Sequence, residues 1–437
     1  MYPIGSKDWL PIIFFGGVGI AVLAFYCWWY LPKKLVKQFS LSGKEKAEVE
    51  DYYRKAIGQG IGGSGLIISL IFSWQQYSAN LALATKTQQL EQYEKQFSLL
   101  GGENMAVRVG AVFGLEQLTK SEPSWSDSIV SALAIFAVNY SKINRKKGDR
   151  VGSDAESALQ VVGRSKRVNA IRLQLDGGLF QGARLDRMDF NYAHLAQTTF
   201  NGSDLYSSSF YESNLFEAQM KGVGASSAKF PHSNLQRIIA CPGRNLSIPA
   251  QMNGMRVHTN FTSAEFFSAD LRDSWLLGIL AAGAKFQNSR MNGVKLNFAN
   301  VFEADFTNAD LSNADFTDAD ARKAKFYYRD YGEDSKNVHP ESMLTGTKFN
   351  RADLYKSEFY GLSVSSASFI EANLEDVTFD NVDKNESYSE RWRGARFCKT
   401  KFRDGVRNDG CNFPWSKKVD PPVVAQFPSN APHTCTG

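Results

Sequence analysis

The chain has 437 residues, of which 43% are hydrophobic and 22% are charged, and its formal net charge is +5. This balance excludes a disordered chain, a collagen and a small disulfide-dense domain, while the length leaves room for several domains. The charge excess is too small to indicate a nucleic-acid partner. Five cysteines and five histidines are present, without a C-x-x-C pair or metal-ligand spacing. The sequence therefore predicts no metal and no cofactor.

Two uncharged stretches near the start of the chain predict transmembrane helices. The first, residues 9–31, has 23 residues and ends in a cluster of tyrosine and tryptophan. About 20 apolar residues suffice to cross a bilayer, and such aromatic clusters favour the membrane interface. The second stretch covers about residues 58–79. We therefore expect residues 1–85 to anchor an integral membrane protein in the lipid bilayer.

The second stretch contains a motif that resembles a dinucleotide-binding fingerprint. Gly58, Gly60 and Gly63 form G-x-G-x-x-G. That fingerprint requires a preceding strand, because the pyrophosphate must meet a helix N-terminus inside a βαβ unit. Here a charged helical stretch precedes it, so we interpret the glycines as sites of close helix packing.

Charge alone leaves the sidedness of the predicted anchor open. Residues 33–55, between the two stretches, carry seven Lys and Arg. The positive-inside rule places this connection in the cytoplasm and the rest of the chain outside. A second basic stretch at residues 142–172 opposes that assignment.

Residues 86–174 are predicted to form a helical collar that ends in a basic linker. The linker, residues 142–172, has nine Lys and Arg against three acidic residues. It suits contact with anionic lipid headgroups or nucleic acid, or it is a solvated linker. It contains no aromatic residue, which argues against stacking on single-stranded nucleic acid.

Residues 175–402 consist of one short repeat. An apolar residue recurs every five positions, and the residue two places before it is mostly small. In the first block the apolar centres are Phe180, Leu185, Phe190, Leu195, Phe200, Leu205, Phe210, Leu215, Met220, Ala225, Phe230 and Leu235. The pattern resumes at Phe261, shifted by one residue. Neither a helix nor an ordinary strand has a period of five.

This pattern resembles the pentapeptide-repeat family, whose consensus is A-[DN]-[LF]-x-x; residues 304–318 read A-D-F-T-N, A-D-L-S-N and A-D-F-T-D. The resemblance implies an all-β right-handed quadrilateral β-helix, with five residues on each face and twenty in each coil. The sequence supports this geometry independently, because centres twenty residues apart are alike, as in Phe266, Phe286 and Phe306. Open coil ends need caps, and the helical collar and a C-terminal tail at residues 403–437 are available for this role.

The resemblance extends to bacterial membrane pentapeptide-repeat proteins, which have two membrane helices, a helical collar and then repeats. Residues 107–118 are similar to that family's V-R-[LI]-G-x-I-Y-A-L-E segment, and residues 158–164 to A-L-T-V-[IL]-G-R. The Glu-x-x-Tyr-Arg run at residues 50–54 is also similar. The resemblance implies the bacterial inner membrane, with the repeats on the cytoplasmic side, and assigns no biochemical activity.

These observations favour a membrane-anchored, non-catalytic scaffold whose rod binds an unidentified protein partner. A membrane-acting effector in a stress or defence pathway is one alternative, and a DNA-mimicking topoisomerase regulator is another. DNA mimicry requires a strongly acidic rod, whereas residues 175–402 carry 28 acidic and 25 basic side chains. The sequence contains no P-loop, no H-E-x-x-H and no G-x-S-x-G motif, and no Ser-x-x-Lys in a suitable context. The oligomeric state cannot be read from the sequence.

Three insertions interrupt the repeats, near residues 236–260, 327–343 and 380–394. The second and third are eight repeats apart, or two turns of a four-sided coil, so we expect both to leave the same corner. They contain tyrosine, tryptophan and arginine, which dominate binding hot spots. The candidate partner-binding residues are Tyr327, Tyr328, Tyr331, Tyr388, Trp392, Arg391 and Arg393. The alternative is that these insertions lie on the surface and bind nothing.

Overall fold

The computed structural model describes most of the chain, in two compact units that divide after Gln92. The described residues are 9–40, 42–143, 149–167, 169, 171–242, 258–329, 343–364, 366–381, 389, 392–393, 395–409, 411 and 435, with the backbone alone for 9–21, 64, 65, 67 and 68.

The first unit is helical. Helix α1 spans Trp9–Val36, and helix α2 spans Gly43–Leu100, so that the end of α2 lies in the second unit. The ring of Trp29 lies beneath two cations, with Lys33 Nζ 4.2 Å and Arg54 Cζ 5.4 Å from its centroid. Gly58 lies inside α2, where an added Cβ would lie 3.4 Å from the Trp28 indole. Because the glycine motif is helical throughout, it lacks the strand and turn that a dinucleotide requires.

Within the part of the chain that the structure describes, no helix combines the length and apolar character needed to cross a bilayer. The expected transmembrane helices at residues 9–31 and 58–79 are therefore wrong, as is the integral membrane localisation that depended on them. In α2 the apolar centre at residues 61–74 is only 14 residues long, and six of these are glycine or serine. At about 1.5 Å per residue it spans about 21 Å, short of a hydrocarbon core of about 30 Å.

Three further helices form the collar at the start of the repeats. Helix α3 spans Met105–Ser121, α4 spans Ser126–Ser141 and α5 spans Ser153–Arg164, with a 3-10 turn at Pro123–Trp125. Asn104 caps α3 by accepting a hydrogen bond from the Ala106 amide. Helix α5 docks on the first coil, where the Gly163 carbonyl accepts a hydrogen bond from the Asp189 amide. The apolar faces of α3, α4 and α5 bury the end of the β-helix and so cover its open edge.

Two ion pairs join the collar helices. Glu116 on α3 accepts two hydrogen bonds from Arg164 on α5, at 2.8 and 2.7 Å. These hydrogen bonds hold the pKa of Glu116 below its ordinary value. Arg108 pairs with the buried Asp154 at 2.7 Å and lies over the Tyr140 ring. Both ion pairs therefore join α3 to α5 in the helical collar that covers the end of the β-helix.

The repeats form a four-sided parallel β-helix, so the β-helical part of the predicted fold is confirmed. Parallel bridges join residues twenty apart, such as Asp189 with Ser209 and Lys285 with Asp305. Where coils contain longer strands, these are β1 Ile239–Ala240, β2 Trp275–Leu276, β3 Lys325–Tyr327, β4 Glu358–Tyr360, β5 Thr378–Phe379, β6 Thr400–Phe402 and β7 Gly405–Arg407. Strand β1 pairs with β2, and β3 to β6 pair in parallel order. Strand β7 runs antiparallel to β6 and covers that edge.

The core of the β-helix consists of stacked side chains from successive coils. The rings of Phe266, Phe286, Phe306 and Phe326 stack with centroids 4.8 to 5.1 Å apart and planes within 6°. At most corners the second residue after the repeat centre has a left-handed backbone, for example φ of +57° at Arg187 and +71° at Gly293. A Cβ at position 293 would come within 2.5 Å of an Asp273 carboxylate oxygen, so any other residue there would have to displace that side chain.

Two disulfides join cysteines for which the sequence showed no pairing. Cys241 bonds to Cys435, 194 residues later, and Cys398 bonds to Cys411. The long bond is buried beside Leu277 and ties the C-terminal end of the chain to a coil in the middle of the repeats. Cys27 in α1 is the remaining cysteine.

The first prediction tests the inward register of the Phe306 column. Phe306 is 1% exposed. Phe306→Asp should destabilise the β-helix by more than the about 3–5 kcal/mol typical of truncation to alanine, because it also buries an unpaired charge. Asp310→Ala, which removes a partly exposed carboxylate, should cost about 1 kcal/mol. Denaturant unfolding measures both, and equal losses for the two variants would contradict the register.

The second prediction concerns the disulfides. Replacing Cys241 and Cys435 together by serine should lower the free energy of unfolding by about 2–5 kcal/mol, because the bond closes a long loop in the unfolded chain. Replacing Cys398 and Cys411 should cost less, since they are only 13 residues apart. Because such bonds persist in oxidising compartments, alkylation of the unreduced native chain should label Cys27 alone. Five labelled cysteines without reduction would contradict the pairing.

Candidate functional site

Two insertions leave the β-helix from one corner. The chain departs from the repeats after β3 and again after β5, and β4 lies between these two strands in the same parallel sheet. The two points of departure are therefore two strand spacings apart, or about 10 Å. Residues 330–342 and 382–388, which contain most of both insertions, lie outside the described residues.

The described residues at this corner form a polar and aromatic surface, which we call the corner surface: Tyr327, Tyr328, Arg329, Tyr360 and Asp380. The rings of Tyr327 and Tyr360 meet edge to face, with centroids 5.2 Å apart. The Tyr327 hydroxyl donates a hydrogen bond to the Glu358 carboxylate. The Arg329 guanidinium lies 5.3 Å from the centroid of the Tyr327 ring. These contacts hold one aromatic pair and one cation together at the surface.

The backbone around the corner surface is fixed by hydrogen bonds. Asn308 donates to the Arg329 carbonyl at 2.9 Å and accepts from the Arg329 amide at 2.7 Å. The Gly361 amide donates to both Asp380 carboxylate oxygens, at 2.9 and 3.0 Å. A Cβ at Gly361 would come within 3.0 Å of the Tyr328 carbonyl, and its φ is +67°. The corner surface is therefore built on rigid strands.

The remaining candidate partner-binding residues are Tyr331, Tyr388, Arg391, Trp392 and Arg393, of which the structure describes only the last two. Tyr331, Tyr388 and Arg391 lie outside the described residues. Trp392 is 2% exposed and stacks on Phe369, with centroids 4.4 Å apart. It thus occupies the position of a repeat centre and belongs to the core. Arg393 is exposed, and its carbonyl accepts a hydrogen bond from the Glu371 amide.

The last insertion is shorter than the sequence indicated, because Trp392 continues the column. Asn373 pairs with Arg396, a separation of 23, so only three residues exceed a regular coil. By the same measure Asp315 pairs with Lys348, a separation of 33, and thirteen residues exceed the coil. The insertion after β3 is therefore the longer of the two at this corner, while the insertion near residues 236–260 is longer still, because Gly224 pairs with Asn260, a separation of 36.

Much of the basic linker at residues 142–172 is used within the chain. Arg150 pairs with Glu156 at 2.8 Å, and Arg164 pairs with Glu116 as described above. Arg167 pairs with Asp189 at 2.6 Å and donates to the Asn191 carbonyl. Arg167 and Arg150, which also donates to the Gly182 carbonyl at 3.0 Å, connect this segment to the first coils, whereas Arg164 pairs within the collar. Residues 144–148, which contain three more basic side chains, lie outside the described residues.

One face of the β-helix carries a buried pair of carboxylates. Asp320 and Asp353 are adjacent in the parallel ladder. Arg322 binds Asp320 with two hydrogen bonds of 2.7 Å, while Asn373 and the Tyr355 amide donate to Asp353. Burial is the main cause that raises the pKa of Asp353. Because Arg322, Asn373 and the Tyr355 amide supply these hydrogen bonds, the burial of the two carboxylates is explained by contacts within the chain. Groups of three or more metal-ligating side chains do not occur among the described residues.

Sequence reasoning missed Tyr360, which is 40% exposed and completes the aromatic pair. The signal was present, because Tyr327 and Tyr360 both follow a phenylalanine centre of the same column. The cysteine pairings carried no comparable signal, since their separations of 13 and 194 residues match no multiple of the repeat.

Comparison with known proteins agrees with this architecture. The family model for pentapeptide repeats matches residues 179–216 and 297–328, with eight copies. No curated protein matches the chain. The match supports the pentapeptide-repeat family for this chain, and no enzyme family is indicated.

Solved structures that match the chain include the pentapeptide-repeat proteins HetL and Rfr23 and the resistance protein QnrB1. HetL, involved in heterocyst differentiation regulation in the cyanobacterium Nostoc sp. strain PCC 7120, is 18% identical; the match covers 55% of this chain and 93% of HetL, with a TM-score of 0.25. A trypsin-treated form of QnrB1, a plasmid-mediated fluoroquinolone resistance protein, is 19% identical, with coverage of 50% and 88% and a TM-score of 0.25. Rfr23 from the cyanobacterium Cyanothece 51142 is 13% identical, with coverage of 33% and 85% and a TM-score of 0.16.

The third prediction concerns Asp353. A raised pKa means that the folded state holds the proton more tightly than the unfolded state, so stability is lost as the pH rises through the folded pKa. At pH 7 the charged carboxylate therefore costs stability. Asp353→Asn removes that cost and keeps an oxygen that accepts both hydrogen bonds, so it should raise the melting temperature at pH 7. The gain should shrink as the pH falls through the raised pKa of Asp353 and vanish below the ordinary aspartate pKa of about 3.9.

Asp320→Asn is the matched control, because it removes a charge from the same ladder but also weakens the paired Arg322. It should lower the melting temperature at pH 7. A destabilised Asp353→Asn variant at pH 7 would contradict the proposed effect of burial.

Proposed function

We propose that this protein is a non-catalytic scaffold whose β-helix presents the corner surface to a protein partner. The observation that carries the proposal is the cluster of Tyr327, Arg329 and Tyr360 on rigid strands at the point where the insertion after β3 departs. Tyrosine and arginine are enriched at the energetic centres of interfaces. Long insertions into regular folds are often functional.

The residue chemistry favours a protein partner over a small molecule. Small molecules bind in concave, mainly apolar pockets that bury most of their surface. The corner surface instead presents a half-exposed tyrosine beside an arginine and the carboxylates of Glu358 and Asp380. Mixed aromatic and charged groups of this kind suit the exposed side chains of another protein.

Acidic DNA mimicry gains no support from the described charges. Lysines alternate with carboxylates along the face that leads to the corner, as at Lys285, Asp305 and Lys325. A surface that imitates the phosphate backbone would need charge of one sign.

Tyr360→Ala tests the proposal, with Tyr206→Ala as the matched control. Both tyrosines are similarly exposed, at 40% and 44%, and Tyr206 follows the centre of a different column. Both variants should keep the free energy of unfolding within about 0.5 kcal/mol. Partners are identified by cross-linking the full chain in its native cells and by mass spectrometry. Tyr360→Ala should weaken binding of a recovered partner by about tenfold or more, and Tyr206→Ala should leave it unchanged.

Replacing residues 330–342 by a short glycine–serine linker provides a second measurement. The linker should reduce binding of the same partner, because the insertion leaves the β-helix beside Tyr327. Unchanged binding in both the linker variant and Tyr360→Ala would contradict the proposed site. An equal loss in Tyr360→Ala and Tyr206→Ala would also contradict it.

A further inference from the structure

One face of the β-helix carries an ordered row of charges, which we call the charge ladder. Its members are the residues immediately before the phenylalanine centres of one column, and each pairs in parallel with the next. In order they are Asp189, Ser209, Lys229, Glu265, Lys285, Asp305, Lys325, Glu358, Thr378 and Lys401. All ten lie at the surface, and the four lysines are exposed.

Part of this order has an explanation within the chain. Side chains at the same position of successive coils are about 4.8 Å apart, so like charges would repel and opposite charges attract. Lys285 Nζ lies 3.0 Å from Glu265. This explains why neighbours alternate in sign. Attraction between neighbours does not require charged residues in many successive coils. The equivalent rows on two other faces contain Trp275 and Leu280 in place of charges.

The charge ladder has a further property, which is that its sign reverses from one end to the other. The first residue is acidic and the last is basic, the second from each end is a neutral hydroxyl, and the inner six alternate. Counted inward from the two ends, the pairs are Asp189 with Lys401, Ser209 with Thr378, Lys229 with Glu358, Glu265 with Lys325, and Lys285 with Asp305. Every charged residue is thus matched to one of opposite sign, and Asp189 at the end of the charge ladder also pairs with Arg167 of its own chain.

We propose that the charge ladder is a docking surface for a second copy of this chain, packed antiparallel. A two-fold axis between Lys285 and Asp305, perpendicular to the β-helix, sets each residue opposite the partner of opposite sign named above. A parallel arrangement would set each residue opposite itself, with four lysines facing four lysines. Charge complementarity of this kind selects the orientation and the register of an interface.

The size of the surface indicates how tight the dimer is. Nine strand spacings give a length of about 43 Å, and three strand residues give a width of about 10 Å. Two copies therefore bury about 900 Å² in total, at the low end for specific interfaces. The dimer should be reversible and should weaken as salt screens the exposed charges.

Charge reversal tests the dimer in the full-length chain. Glu265→Lys sets two lysines opposite each other at two places in the dimer, and Lys325→Glu does the same with two carboxylates. Each variant alone should raise the dissociation constant about tenfold or more. An equimolar mixture of the two should restore association to within about threefold of the wild type, because each new lysine then meets a new glutamate. A variant that failed to fold would not be rescued by mixing.

Arg290→Glu is the matched control. Arg290 lies between Asp270 and Asp310 on the neighbouring face, just as Lys325 lies between Asp305 and Glu358. Its reversal therefore creates the same stack of three acidic residues within the chain, but outside the charge ladder. Arg290→Glu should leave the dissociation constant unchanged. The corner substitution Tyr360→Ala stays separate, since it tests the heterologous partner and leaves every charge of the ladder in place.

Sedimentation velocity at about 50 mM and about 500 mM salt measures the dissociation constants. A dimer that weakens at high salt, weakens in each single variant and returns on mixing supports the proposal. A wild-type chain that remains monomeric up to about 200 µM at low salt overturns it. Single variants that associate like the wild type, a mixture that stays dissociated, or an equal loss in Arg290→Glu also overturn it.

Discussion

The stacking of phenylalanine rings from coil to coil is the interaction on which the repeat region depends. Phe266, Phe286, Phe306 and Phe326 stack at 4.8 to 5.1 Å. That distance is nearly the spacing of hydrogen-bonded strands, so the same coil spacing allows both ring stacking and backbone hydrogen bonding. A slip of one residue would turn every ring of the coil outward, and the cost of exposing them fixes the register.

This register explains where the chain tolerates irregularity. Left-handed corners are strained for residues other than glycine, yet Arg187 and Glu303 occupy them because burial of the adjacent centre offsets the cost. Insertions are accommodated at a corner, provided that the next apolar centre after the insertion takes its place in one of the stacked columns. Trp392 shows how strictly this holds, since a tryptophan takes the place of phenylalanine and stacks on Phe369 with planes 6° apart.

The ends of a solenoid need a different solution, because there the ladder has no further coil to pair with. At the first coils, helix α5 covers the edge and the Glu116–Arg164 pair fixes it to α3. At the last coil, β7 folds back on β6, and the Cys398–Cys411 bond lies beside that hairpin. The same stacking that orders the core also aligns the surface. It brings Tyr327 beside Tyr360 and arranges Lys285 and Asp305 as neighbours in one row of charges.

The sequence by itself determined the β-helix, because a period of five that persists over twenty-residue coils has few other solutions. It also indicated the corner at which insertions leave. It did not determine the role of Trp392, whose position in the chain suggested a loop but whose ring completes a column. Nor did it determine which cysteines pair, because partners 194 residues apart meet only after the coils have stacked. The uncharged stretches at residues 9–31 and 58–79 suggested membrane helices, whereas no described helix combines the length and apolar character needed to cross a bilayer. Local periodicity is therefore written in the sequence, and contacts between distant coils are decided by the tertiary structure, because they depend on the sum of every insertion between them.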